Sequence, residues 1–171
     1  MIKFVLPFLL CYQIILAQQH QTNQNLTPDL ISKHTTHFDI ENNHFSNADI
    51  LINALDNAYF VALGELHNRK RLGELTSALL LHLNKNGFKN FAFETGPYSA
   101  KKLLRLIGQD QSKLTEFYSD YSSKLFNIYP IPFHTGTSDL EFLKVAHSLD
   151  YDFWGLDQEF YFGFQFLLDE L

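Results

Sequence analysis

From Tyr59 to Pro97 the chain reads YFVALGELHNRKRLGELTSALLLHLNKNGFKNFAFETGP, and no other stretch narrows its possible folds as much. Tyr59-Phe60-Val61-Ala62-Leu63 is a short apolar run of the kind that suits a strand buried on both faces of a parallel sheet. It stops at Gly64-Glu65-Leu66-His67-Asn68. From Leu72 the apolar period changes: Leu72, Leu75, Leu79, Leu80 and Leu83 share one stripe of a helix, which Asn86-Gly87 would close with a left-handed residue. Phe91-Ala92-Phe93 then starts a second strand that ends at Glu94-Thr95-Gly96-Pro97. Two strands joined by a helical crossover lie parallel, so the loops after them belong on one edge of the sheet, with neighbouring strands about 5 Å apart. Glu65, His67 and Glu94 are therefore expected to face one crevice, and the carboxyl edge of an open α/β sheet is where ligands bind. The competing expectation is that both glutamates cap the helices after them and that His67 is a solvated loop residue.

The later chain extends this plan. Ser99 to Ile107 is expected as a helix with Leu103, Leu104 and Ile107 inward, and Leu114, Phe117, Tyr118 and Tyr121 keep helical spacing in another. Residues 125–137 hold Pro130, Pro132 and Gly136 among Phe126, Tyr129 and Phe133. That is an aromatic loop, able either to wall the crevice against an apolar substrate or to pack as a local core, and His134 lies on it as a candidate substrate-binding residue. Ser138-Asp139-Leu140-Glu141 has the form of a capping box and opens a helix carrying Leu140, Leu143, Ala146 and Leu149 inward. Tyr151 to Leu156 is a third strand, and Asp157 and Glu159 after it join the same edge. The expected fold is α/β, a partial open parallel sheet with flanking helices. Three strands make a poor closed fold, and Phe160 to Leu171 reads as a helix cut off in mid-pattern, so the chain is expected to be the N-terminal portion of a larger fold.

The first 47 residues are expected to lie outside that domain, which spans residues 48–171. Lys3, the apolar stretch from Phe4 to Leu16, and Ile15-Leu16-Ala17 before Gln18 have the form of a signal peptide cleaved after residue 17, which implies export to a periplasm or the medium. The stretch is shorter than the roughly 20 residues of a spanning helix, so no stable membrane anchor is expected after cleavage. Cys11, the only cysteine, falls inside it. Disulfides, thiolate nucleophiles and thiolate metal sites are thereby excluded from the mature chain. Residues 18–47 read as a flexible Gln/Asn/His-rich leader in which His34, His37 and His44, with Asp39, belong to a solvated entry loop, the competing expectation being a metal group for which the segment has no helix or strand pattern to aim the side chains. Asp49 to Leu55 forms a short helix ahead of the first strand. A formal net charge of -6 gives no electrostatic footprint for nucleic acid, whereas 17 Phe residues call for a bulky core or an apolar cleft.

With Gly64-Glu65-Leu66-His67, Glu94-Thr95-Gly96-Pro97 and Gly155-Leu156-Asp157 in place, residues 48–171 resemble the erythromycin esterase and ChaN/TIKI-like superfamily. The resemblance implies an α/β fold with a carboxyl-edge site built from Glu65, His67 and Glu94. In that superfamily the esterase branch hydrolyses a lactone with a histidine activating water, TIKI-like members are metal-dependent peptidases, and ChaN-like members bind haem. One residue rather than two separates Glu65 from His67, a spacing more like ChaN, and the chain ends before the region that supplies a second essential histidine in the esterases.

Three chemistries fit these residues. In metal-free ester or lactone hydrolysis His67 is the general base, Glu65 or Glu94 fixes its tautomer, and Arg69 or Arg71 stabilises the oxyanion, with Asp157 and His134 contacting a small-molecule substrate. Water is the attacker, because there is no G-x-S-x-G elbow. In metal-dependent hydrolysis Glu65, His67, Glu94 and Asp157 are an oxygen-rich ligand set for manganese, zinc or a similar divalent ion. As a binding module, the chain would use Tyr118, Tyr121 and Tyr129 to hold haem or another flat apolar ligand.

Overall fold

The computed structural model describes residues 27–64, 69–123, 125, 128–135 and 137–171, the side chains of residues 137 and 138 excepted. The chain is mixed α/β and divides into two compact units, residues 1–36 and 37–171. In the first unit the described part is helix α1, Pro28–Lys33, whose N-cap Thr27 accepts a hydrogen bond from the Leu30 N–H at 3.2 Å. The expected signal segment lies outside the described residues.

The second unit opens with a hairpin inside the stretch expected to be a flexible leader. Strands β1, Asp39–Glu41, and β2, His44–Ser46, pair antiparallel. Asn42 and Asn43 between them both have positive φ, 50° and 62°. Asn tolerates that conformation, and two such residues in sequence make the turn whose twist matches a hairpin. Phe45 seats the hairpin on the cluster formed by Leu55, Leu79 and Leu83. Helix α2, Asp49–Asp56, follows.

Residues 59–63 differ from the strand expected of them. They join no ladder, and Tyr59 and Phe60 are 101% and 82% exposed. Only Val61 of this run packs into a cluster, against Leu55, Leu79 and Leu83. A continuous apolar run specifies burial, but strand formation also needs a paired edge, and the run's own sequence does not supply one.

Helix α3, Lys70–Lys85, has the expected apolar stripe and stop. Gly87 has φ +88°, the Phe88 N–H donates to the Leu83 carbonyl at 3.1 Å and the Gly87 N–H to the Asn84 carbonyl at 3.1 Å. That bonding pattern is a Schellman ending, completed by Phe88 packing beside Leu83. Strand β3, Asn90–Phe93, comes next, then α4, Pro97–Ile107, and α5, Gln111–Tyr121, capped by Asp110 accepting from the Ser112 N–H at 2.7 Å. Helix α6, Thr137–Ser148, leads to β4, Asp152–Gly155, and a 3-10 turn at Tyr161–Gly163 precedes α7, Phe164–Asp169.

Strands β3 and β4 pair in parallel, Phe91 opposite Phe153 and Phe93 opposite Gly155. Their alternation sends Phe91, Phe93 and Phe153 into the main core, where they meet Leu103, Leu143, Ile131, Phe142 and Phe166. The Phe93 and Phe153 rings cross edge to face at 5.6 Å, an arrangement contributing about 0.5–1.5 kcal/mol beyond burial. The opposite face of the pair is open: Asn90, Ala92, Asp152 and Trp154 are exposed. The expected parallel sheet is thus realised, among the described residues, as one two-stranded parallel pair with one covered face.

Candidate functional site

Parallel pairing puts the loops after β3 and β4 side by side, and the backbone locks them there. The Leu156 N–H donates to the Phe93 carbonyl at 3.2 Å and the Asp157 N–H to the Thr95 carbonyl at 3.0 Å. Gly155 allows this approach, since a Cβ there would stand 2.3 Å from the Gly96 carbonyl oxygen. Glu94 and Asp157 are both exposed at these strand ends and both line one cleft of about 1290 Å³.

The cleft is lined by β3, α3 and residues 58–63. Its walls are apolar where α3 contributes Leu72, Leu79, Leu80 and Leu83 and where β3 contributes Phe91 and Phe93. Arg69 also lines it. Arg71 is exposed and does not line it. Glu65 and His67 lie outside the described residues. The site expected from sequence is therefore brought together in part, as Glu94, Asp157 and Arg69 on one cleft.

Glu159, expected on the same edge, turns instead to the N-terminus of α4. It accepts from the Tyr98 N–H at 2.6 Å, the Ser99 N–H at 3.3 Å and the Ser99 hydroxyl at 2.7 Å. The cause is the helix end itself, which presents unpaired N–H groups and positive partial charge to a carboxylate.

The 125–137 loop does not wall the cleft; none of its described residues lines it. Pro130, Ile131 and His134 are fully buried, so the loop's described part serves the core. The His134 ring meets Phe93 edge to face at 5.0 Å, on the core side of the strand that edges the cleft. The Tyr118 hydroxyl donates to the His134 carbonyl at 3.1 Å, and the Tyr121 hydroxyl to Asp169 Oδ2 at 3.0 Å. With Tyr129, these tyrosines stand off the cleft. Burial, assisted by the charge of Asp139, pushes the Tyr118 phenol well above its ordinary pKa.

Asp139 is the site residue that the sequence reading missed. It is buried, it lines the cleft, and it stands one turn before Phe142, which lines the cleft as well. The buried stripe of α6 is Asp139, Phe142, Leu143 and Ala146, with the expected Leu140 and Leu149 partly buried against the same core, so an acid takes the first place of the stripe. An i, i+3, i+4, i+7 pattern beginning on an acid is the signal that a reading fixed on leucines passes over.

Protein-family models, curated proteins and solved structures yield no match to this chain. An apolar trough with carboxylates and a guanidinium along its lining suits a mainly apolar small molecule carrying one polar, reactive group. No three described His, Cys, Asp or Glu side chains form a metal-binding group. Glu94 and Asp157 are the two described members of the four-residue metal set, and both offer hard oxygen donors suited to a divalent ion. No helix among the described residues is long and apolar enough to cross a membrane.

Proposed function

We propose that the chain is an exported hydrolase of the erythromycin esterase and ChaN/TIKI-like superfamily, cleaving an ester or lactone by water attack, and that the parallel pair belongs to an open parallel sheet. The observation that carries this reading is the convergence of Glu94 and Asp157 from adjacent parallel strand ends onto one apolar-walled cleft. His67 is the general base that takes a proton from water as it adds to the acyl carbon. Glu94 holds the imidazole in the required tautomer and steadies the imidazolium, which gives its proton to the leaving oxygen as the tetrahedral intermediate collapses and the acyl C–O bond breaks. Arg69, on the cleft lining, balances the oxyanion of the tetrahedral intermediate. Asp157 orients the polar end of the substrate.

The test is hydrolysis of a panel of aryl esters and aryl lactones. His67→Ala should lower kcat/KM by about 100-fold or more, the usual scale for loss of a general base. Activity should survive a chelator. Loss of activity on chelation, restored by manganese or zinc, would replace this mechanism with the metal-dependent one on Glu65, His67, Glu94 and Asp157. Full activity in His67→Ala would end both.

A further inference from the structure

The hairpin, α2 and α3 form a second, smaller pocket of about 180 Å³. Its lining includes Asn43, His44 and Phe45 of the hairpin, Ile52 of α2, and His82 and Lys85 of α3. Every ionisable side chain in that lining is a base, in a chain whose formal net charge is -6. His82 and Lys85 stand three positions apart in the last turn of α3 and so share one of its faces. Phe45 meets the His82 ring edge to face at 6.4 Å, and this contact brings the neighbouring His44 to the same helix face.

The fold does not use these bases up. The His44 and Lys85 side chains make no hydrogen bond or ion pair among the described residues. His82 Nε2 stands 2.7 Å from Asp56 Oδ1, which also accepts from Asn86 Nδ2 at 2.8 Å. Asp56 lines the large cleft and not this pocket, so the bond that fixes the ring leaves Nδ1 for the pocket. An acceptor there would give the imidazolium a partner at each nitrogen.

The chemistry of the lining selects the occupant. Two imidazoles fall short of the three or four protein ligands of a zinc site, and the Lys85 ammonium repels a cation. An anion is attracted by all three bases. The volume is below the about 300 Å³ at which pockets for drug-sized molecules begin, so the occupant is small. Inorganic phosphate would leave the Phe45 and Ile52 walls without an apolar partner. We propose that this pocket binds a small organic carboxylate, its oxygens held by Lys85, His44 and His82 Nδ1 and its short apolar body lying against Phe45 and Ile52. Bonds from charged donors to a carboxylate are the strong class of hydrogen bond, which suits a site this open. None of the residues assigned to hydrolysis is in the lining, so the proposal holds or fails apart from the hydrolase reading.

The test is an NMR titration of the isotopically labelled protein with sodium propionate, with sodium chloride at matched ionic strength as control. The Asn43, His44, Phe45 and Lys85 amides should shift saturably with propionate and not with chloride, at concentrations that leave the Glu94 and Asp157 amides unmoved. Lys85→Gln and His44→Gln, both at exposed positions, should each weaken binding about tenfold, the scale of a lost hydrogen bond to a charged group. The Leu103 and Leu143 amides report in the same spectra that each variant is folded. Equal shifts in chloride, shifts that do not saturate, or unchanged affinity in either folded variant would overturn the proposal. Tighter binding of inorganic phosphate or of zinc at the same amides would overturn it as well.

Discussion

At the scale of single residues, the same residue type at neighbouring strand ends is put to different uses by what lies opposite it. Glu94 lines the cleft, whereas Glu159, two positions after Asp157, meets the open N–H groups of α4 and becomes its cap from a distance in sequence. Glu159→Ala should cost about 1 kcal/mol, the usual loss for a helix N-cap, and Glu159→Gln less because an acceptor oxygen remains; thermal unfolding of the two variants checks the order. Tyr151 gives a prediction with a pH sign. Its buried hydroxyl donates to the Leu80 carbonyl at 2.9 Å, and burial pushes its pKa up to about 12. The folded protein thus holds this proton more tightly than the unfolded chain, whose tyrosine titrates near about 10. The associated stability is whole below pH about 10 and is lost as pH rises toward 12. Urea unfolding across that window should show a steep fall that is shallower in Tyr151→Phe. Sequence alone placed Glu94 and Asp157 at strand ends because topology fixes which edge a loop occupies. It did not separate Glu159 from them, since a cap supplied from about 60 residues away leaves no local pattern.

At the scale of elements, legibility follows how local the determining interaction is. The stop of α3 is written in Asn86-Gly87-Phe88 and appears as read, with Gly87 at φ +88°. Gly87→Ala should therefore cost about 1 kcal/mol by forcing a Cβ into the left-handed region, although it would meet nothing within 4 Å; chemical denaturation measures this. The hairpin of β1 and β2 is written in an Asn-Asn pair between alternating residues, a local signal that the polar composition of residues 18–47 masks. Tyr59–Leu63 marks the opposite limit. Its apolar run is the strongest strand signal in the chain, yet pairing is a property of two segments, and the run belongs to no ladder. The aromatic loop went to the core for a reason invisible locally: Pro130, Ile131 and His134 fill space that α5, α6 and β3 leave between them.

At the scale of the second unit as a whole, one aromatic-rich core covers one face of the parallel pair. Helices α4, α5, α6 and α7 gather on the Phe91, Phe93 and Phe153 face of the parallel pair, and Phe91, Phe93 and Phe142 serve that core and the cleft lining together. What remains is a trough along β3 whose lining includes Glu94, Asp139, Asp157 and Arg69, and whose walls are leucine and phenylalanine. The proposed function makes this trough the place where a small-molecule ligand would bind. The most direct measurement is an NMR titration of the isotopically labelled protein with the slowest-turning aryl ester or lactone of the panel, or with its unreactive amide or lactam analogue. The account predicts saturable shifts at the Ala92, Glu94, Leu156 and Asp157 amides, with Tyr118 and Tyr121 unmoved, and about tenfold weaker binding in Asp157→Ala. Shifts centred on Tyr118, Tyr121 and Tyr129, or binding indifferent to Asp157, would contradict it.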